Sequence, residues 1–254
     1  MVKLDKIGVQ LYTVRDFLDT EENVKRSFEK IKALGYDEIQ IASRKISYEA
    51  MGRLAREAGL TIVGTHDDFW QMYNDPALAM ENHKLLGTTT MGIGGFFEKT
   101  LEKYEDFIEK SNTLARNVGP HGFKFTYHNH SHEFINFGGK TIMDLLVEKL
   151  DPEYTSFVLD TYWVQHGGGD VRYWIEKLAG RIDILHLKDM KRVDDNEKPH
   201  IFAEIGNGNL YWEGIIETAL KTGVKSFVVE QDFCPGDPFD SLKQSSDYLH
   251  ANFM

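Results

Sequence analysis

Cysteine is nearly absent: Cys234 is the single one in 254 residues. An internal disulfide is therefore excluded, and a reducing compartment, the cytoplasm, is the expectation. No apolar run approaches the roughly 18 residues that a membrane helix needs, so no membrane partner is expected. The first residues also lack the basic-plus-apolar pattern of a secretory leader. Positive charge is scarce, with 29 Lys and Arg against 40 Asp and Glu and a net charge of −11. Gripping a phosphate backbone requires positive surface, so nucleic acid is not expected as a partner. The acidity itself reads as solubility. Linkers and low-complexity tracts are missing, which points to a single domain over residues 1–254. Glycine is missing from TVRDFLDT at 13–20. A doubly wound dinucleotide-binding sheet would carry its glycine-rich phosphate turn there.

What is present is an alternation of apolar, β-prone segments with helical patterns. Strands are expected at 7–14, 38–42, 61–69, 88–96, 156–164, 183–190 and 226–233, with a further one opening FKFTYHNHSHEF at 123–134. Between them lie helices with recognisable starts at Thr20, Ser47 and Pro76. Gly35, Gly59, Gly87, Gly119, Gly180 and Gly223 each stand between a helical pattern and a strand, where a left-handed residue ends the helix. Strand–helix alternation implies parallel βαβ units with right-handed crossovers. Eight such units in about 250 residues close most simply into an α/β fold of the (β/α)8 TIM-barrel type. The 41% apolar content is enough for a sizeable core.

Active sites of such barrels lie at the C-terminal strand ends. Here those ends carry His66, Asp67 and Asp68, then His128-Asn129-His130, Asp160, His186 with Lys188, and Glu230-Gln231. Period-two alternation puts His186 and Lys188 on one face of the pleat and sends Leu185 and Leu187 toward the helices. Asp160 follows Phe157-Val158-Leu159, and Glu230 follows Phe227-Val228-Val229. A carboxylate at the end of such a run requires a cationic or hydrogen-bonding partner. A lone histidine in a barrel is ordinarily hydrogen-bonded, and a lone aspartate after a strand is often a helix cap. Two carboxylates and two imidazoles ending four successive strands instead form a ligand set suited to Mn, Zn, Co or Fe. Trp163, Tyr12 and Phe69 are candidates for an apolar wall of the site. Gly206 and Gly208 are candidates for close backbone approach to the site.

The segments IGVQLYTVRD (7–16), YHNHSHEF (127–134), LDTYWVQHGG (159–168), HLKD (186–189), EIGNGNLYW (204–212), VVEQD (228–232) and DPFDSLKQSSDYL (237–249) together resemble the sugar-phosphate isomerase/epimerase family of the xylose-isomerase-like TIM barrels. The resemblance spans nearly the whole chain. It implies one divalent metal ion (Mn, Zn, Co, Fe or Mg) held by His128, Asp160, His186 and Glu230, and a small carbohydrate as substrate. In the implied chemistry Glu230 removes the proton next to a carbonyl and Lys188 stabilises the resulting enediolate. The resemblance also suggests His66, Arg192, Trp163 and Gln10 as substrate-binding residues.

One departure stands out. Many members of the family have Glu where this chain has His128, and the epimerases use two glutamates, one on each face of the substrate. His130, His132 or Glu133 is then the candidate second acid/base. The alternative is an elimination, as in the inosose dehydratase and keto-glycoside lyase relatives. Apurinic endonucleases share the barrel but need a basic DNA face, which a chain of charge −11 does not offer. Homo-oligomerisation is compatible with the sequence.

Overall fold

A computed structural model describes residues 3–254, so Met1 and Val2 of the expected 1–254 domain lie outside it. The chain opens with β1 (Gly8–Gln10), α1 (Glu21–Ala33), β2 (Glu38–Ala42), α2 (Tyr48–Glu57) and β3 (Thr61–His66). Two helices, α3 (Phe69–Asn74) and α4 (Pro76–Leu86), precede β4 (Thr90–Ile93), α5 (Leu101–Val118) and β5 (Lys124–His128). A small hairpin, β6 (Asn136–Phe137) and β7 (Lys140–Thr141), leads into α6 (Ile142–Lys149) and β8 (Thr155–Asp160). Then come α7 (Thr161–His166), α8 (Val171–Lys177), β9 (Ile182–Leu187) and a second hairpin, β10 (Asp189–Arg192) with β11 (His200–Ala203). Helix α9 (Trp212–Lys221), β12 (Ser226–Val229) and α10 (Pro238–Phe253) complete the described chain.

Eight parallel strands run in the order β3-β2-β1-β12-β9-β8-β5-β4, and the sheet curls into a nearly closed TIM barrel. At the remaining seam, between β3 and β4, the Asp67 N–H donates to the Gly92 carbonyl at 2.8 Å. The helices begin where side chains cap them. Thr20 accepts from the Asn23 N–H, Ser47 from the Ala50 N–H, and Asp75 from the Leu78 N–H just ahead of Pro76. Gly35, Gly59, Gly87, Gly180 and Gly223 take the expected positive φ. Gly119 does not: its φ is −56°, the chain continues as a short 3-10 turn, and Gly122 takes the left-handed position.

Several strands are shorter than their apolar runs. The first stops at Gln10, because Leu11–Phe17 winds into 3-10 turns and the Gln10 side chain accepts from the Tyr12 N–H. The 156–164 run stops at Asp160, where that carboxylate caps α7 through the Trp163 N–H. The 61–69 run stops at His66, and Asp68 caps α3. The 183–190 run breaks at Lys188 and continues as β10, one arm of the second hairpin, while the 226–233 run stops at Val229. The 88–96 run is a strand only over Thr90–Ile93. A short apolar run looks alike as strand end and as buried helix start, so it does not mark the boundary.

Two apolar layers frame the barrel. The larger one packs the outer face of the strands, including Leu159, Leu185 and Leu187, against the helices. A smaller interior cluster consists of Val158, Ile184 and Val228 with Val63 against it. Two residues further along the same strands come Asp160, His186 and Glu230, so each shares its apolar neighbour's inward face. The hydrophobic plug thus sits directly beneath the polar mouth.

The seam depends on Gly92. A Cβ there would lie 2.0 Å from Thr126 Oγ1 and 2.9 Å from the Thr65 carbonyl oxygen. Gly92→Ala is therefore expected to destabilise the fold by about 1–3 kcal/mol through overpacking. A chemical-denaturation midpoint equal to that of the parent protein would show that the seam has slack.

Candidate metal centre

Strand register brings the site together. Asp160 on β8 pairs with His186 on β9, and the Glu230 N–H donates to the Leu187 carbonyl just past the end of β12. His128, at the end of β5, completes the group. One ligand atom from each of His128, Asp160, His186 and Glu230 lies within 4.8 Å of the others, and all four residues are buried. His128 Nε2 is 3.3 Å from Asp160 Oδ2. His186 Nδ1 is 3.0 Å from Glu230 Oε2 and 3.5 Å from Asp160 Oδ2, yet it makes no hydrogen bond.

The outer nitrogens decide which atom of each ring faces the cluster. His186 Nε2–H donates to Gln40 Oε1 at 2.6 Å, and His128 Nδ1–H donates to the Gly94 carbonyl at 3.1 Å. Each ring therefore turns its other nitrogen inward, the arrangement that second-layer acceptors impose on ligating histidines. Asp160 divides its two oxygens in the same way. Oδ1 caps α7 at the Trp163 N–H, 2.9 Å away, while Oδ2 faces the cluster. Helix cap and candidate ligand are thus one residue. These four side chains form a group able to hold a metal ion, and hard carboxylate with borderline imidazole is a donor set for a divalent one.

Lys188 lies against the same oxygens. Its Nζ is 2.9 Å from Glu230 Oε2, 3.3 Å from Asp160 Oδ2 and 2.6 Å from Asp232 Oδ1. Burial alone would depress the ammonium, but Asp160, Glu230 and Asp232 outweigh it and hold its pKa above the ordinary lysine value. Burial would likewise raise Asp160 and Glu230, and Lys188 with the adjacent histidines brings both below the usual carboxylate range. For His186 burial works downward, and the neighbouring Glu230 and Asp160 carboxylates reverse it. Asp232 is pushed up to about 6 by burial and by the Glu230 charge beside it.

A cavity of about 310 Å³ opens above the group, lined by Tyr12, Ser43, His66, Phe97, His128, His130, Lys188, Glu230 and Asp232 among others. His66 packs its ring on His128 and His186, with centroids 4.9 and 5.6 Å apart. Gln10 approaches His66 Nδ1 at 3.4 Å from behind, so Gln10 supports the wall rather than lining the cavity. Burial depresses both His66 and His130, the latter to about 2, so both imidazoles stay neutral at ordinary pH. The Trp163 ring lies 5.1 Å from the His130 ring and 5.3 Å from the Lys188 ammonium, flanking the pocket.

Five expected residues lie elsewhere. Glu133 is buried in the loop after β5, where its carboxylate accepts from Tyr127 Oη at 2.6 Å and from the His130 N–H at 2.9 Å; it braces the loop and does not reach the cavity. Arg192 sits at the exposed end of β10, donating to the Val193 and Pro199 carbonyls. Phe69 packs on Phe107 and Phe125 in the outer core, so it forms no wall of the site. Gly206 and Gly208 do permit close approach, but to Asp189: both donate their N–H to its Oδ2, at 2.9 and 3.1 Å. A Cβ at position 208 would meet Asp189 Oδ1 at 2.2 Å.

Gln40, Asp189 and Asp232 join the site or its support without standing out as strand-end residues in the sequence. The alternation of EIQIA pointed Gln40 inward, and Asp189 and Asp232 both stand in the motifs HLKD and VVEQD. Their partners are distant in sequence, which is why their roles were not legible there.

Residues 28–251 match the family described as the xylose isomerase-like TIM barrel, and the chain belongs to that family. Among curated relatives it is similar to inosose dehydratase of Mesomycoplasma hyopneumoniae (strain 7448), at 26% identity over 168 residues, covering 60% of this chain and 55% of that protein. The chain thus spans about half the length of such relatives. Among solved structures, a sugar phosphate isomerase/epimerase from Parabacteroides distasonis ATCC 8503 superposes with a TM-score of 0.82 at 22% identity, covering 99% of this chain and 95% of that one. An L-ribulose 3-epimerase superposes with a TM-score of 0.73 at 12% identity, covering 98% and 94% of the two chains. At these identities the structural likeness speaks for the fold.

Asp189 holds the 204–212 loop by accepting from the Gly206, Gly208 and Leu210 N–H groups and from Trp212 Nε1–H. Asp189→Ala strands these donors, of which Trp212 Nε1–H is the buried one, and is expected to lower stability by about 1–3 kcal/mol. Thermal or denaturant unfolding checks this; a loss below 1 kcal/mol would mean that water replaces the carboxylate (about the net worth of one ordinary hydrogen bond).

Proposed function

We propose that this protein is a divalent-metal-dependent isomerase or epimerase that removes a proton next to the carbonyl of a sugar, keto-sugar or polyol. The observation that carries the reading is the convergence of two carboxylates, two correctly oriented imidazoles and a buried lysine at the floor of one polar cavity. A divalent ion held by His128, Asp160, His186 and Glu230 would act there as a Lewis acid, making the α C–H of the substrate acidic. Lys188 and His186 keep the Glu230 carboxylate ionised, which is the form that accepts a proton. The Lys188 ammonium lines the same cavity and stabilises the negative charge that develops on the enediolate. His66 has an unpartnered Nε2 and takes a substrate oxygen by hydrogen bond. His130, on the same wall, serves likewise. Tyr12 and Phe97 offer flat faces to the sugar ring, and Trp163 backs His130. We place this chemistry in a single barrel domain in the cytoplasm, with a small carbohydrate as partner.

Elimination is the second reading, favoured by two observations. By the family resemblance of the 127–134 segment His128 stands where many members carry a glutamate, and Glu133 is engaged in the loop rather than in the cavity. Proton return to the opposite face then lacks a dedicated glutamate, whereas elimination of water or of a glycosyl oxygen needs only one base to begin. The similarity to proteins named inosose dehydratase points the same way.

Incubation in D2O with a panel of ketoses, inososes and 3-keto-glycosides separates the two. Deuterium in recovered substrate or its epimer marks isomerase or epimerase chemistry, release of water or an aglycone marks a lyase, and neither from any member of the panel removes both readings. Lys188→Met is expected to lower kcat by on the order of 10²–10³ with metal content unchanged. An unchanged kcat with a raised KM would move Lys188 to substrate binding.

Metal analysis of purified protein is expected to give about one divalent ion per chain, and Asp160→Ala is expected to lose it. Gln40→Leu removes the acceptor that sets the His186 tautomer and is expected to weaken metal affinity by about 10–100-fold in chelator competition. Full occupancy in Asp160→Ala would rule out this ligand set.

A further inference from the structure

Beside the polar pocket lies a second cavity, of about 440 Å³, lined by the largely apolar set Phe97, Tyr104, His132, Ile135, Phe137 and Ile142, with Glu98 and Lys99 also on its wall. Its volume is that of a small-molecule site. The surrounding apolar side chains are unusually open, with Phe97 66%, Ile135 54% and Phe137 37% exposed. A contiguous exposed apolar patch of this kind marks a binding surface more than a scatter of single residues does.

The two cavities share a wall. Phe97 lines both. Its ring stands 4.9 Å from His130, which belongs to the polar pocket, and 5.4 Å from His132, which belongs to the apolar one. The wall is held in place from behind. Phe96 stacks on Phe107 at 4.2 Å, and its carbonyl accepts from Tyr104 Oη at 2.7 Å and from the His132 ring at 2.9 Å. The apolar cavity is therefore preformed and lies one ring's width from the pocket where the carbohydrate would sit.

We infer that this cavity is the subsite for an apolar, preferably aromatic, substituent of the substrate: the aglycone of a glycoside whose sugar ring occupies the polar pocket. The inference rests on the carbohydrate reading above and narrows it. A bare ketose or inosose has nothing apolar to place against Ile135, Phe137 and Ile142, whereas an aryl glycoside has a flat face of the right polarity. A concave site contiguous with the reactive pocket suits a small ligand better than a second copy of the chain.

The test follows the side-chain methyl NMR signals of Ile135 and Ile142, with phenol, methyl β-D-glucopyranoside and phenyl β-D-glucopyranoside as probes of the full chain. Phenol is expected to shift both isoleucines saturably, and Ile135→Asp or Phe137→Ser to weaken it at least about fivefold. Both substitutions are at exposed positions, and an unchanged amide spectrum shows that the fold is intact. Phenyl glucoside is expected to bind about tenfold or more tightly than the methyl glucoside while also shifting His130 ring signals. No saturable phenol shift, with methyl glucoside still perturbing His130, overturns the subsite and leaves the carbohydrate reading standing. Phenol binding with neither glucoside reaching His130 overturns the carbohydrate reading for these sugars and the aglycone assignment with it. Isoleucine shifts that follow protein dilution rather than phenol assign the patch to self-association, which also overturns the inference.

Discussion

The structure depends on buried negative charge at the barrel mouth. Asp160 and Glu230 end two strands whose preceding inward residues are apolar, and both carboxylates are withdrawn from water. Isolated carboxylates there would be prohibitively unfavourable, so the surroundings must supply cations and donors. Lys188 reaches both, with Asp232 as a third acidic neighbour, and His186 Nδ1 stands between the two oxygens without a hydrogen bond of its own. A proton or a metal ion at that nitrogen answers the same electrostatic demand. The proposed chemistry at the mouth draws on the same charge, because a site that holds positive charge is suited to stabilising an oxyanion.

Around that charge the second layer fixes orientation. Gln40 and the Gly94 carbonyl choose the tautomers of His186 and His128. Asn129 accepts from the Asp160 N–H, and Thr161 ties its own strand end to His186 and Lys188 through their backbone. Asp189 performs the corresponding task for the 204–212 loop, which it gathers by four donors. None of these residues needs to touch a substrate to matter. Each removes a rotational freedom that the chemistry could not tolerate.

The fold was largely legible because its signals are local. Helix starts at Thr20, Ser47 and Pro76, glycine stops such as Gly35 and Gly87, and inward alternation through Val158-Asp160 and Ile184-His186 are written in a few adjacent residues. Strand ends were less legible. In LDTYWV the apolar residues continue past Asp160 because α7 is buried too, and only the cap geometry shows where strand gives way to helix. The site was legible as residue types at strand ends and illegible as partnerships. Glu133 resembled a catalytic carboxylate beside three histidines, yet its oxygens meet the Tyr127 hydroxyl and the His130 amide. Gly206 and Gly208 signalled close approach correctly, but what approaches is the Tyr248 ring at Gly206 and Asp189 at Gly208.

Strand–helix alternation, glycine stops and period-two patterning thus determined by themselves that eight strands close into a barrel with polar, chargeable residues at one end. That follows because alternation and capping act over two to four residues. Tertiary structure alone decided which nitrogen of His186 and His128 faces the carboxylates, that Lys188 joins three acids, and that Phe97 divides a polar pocket from an apolar one. Those facts depend on strand register and barrel closure, which bring together residues as far apart as Gln40 and His186. Contacts across such separations are set by the summed packing of the whole barrel, and no local stretch of sequence encodes them.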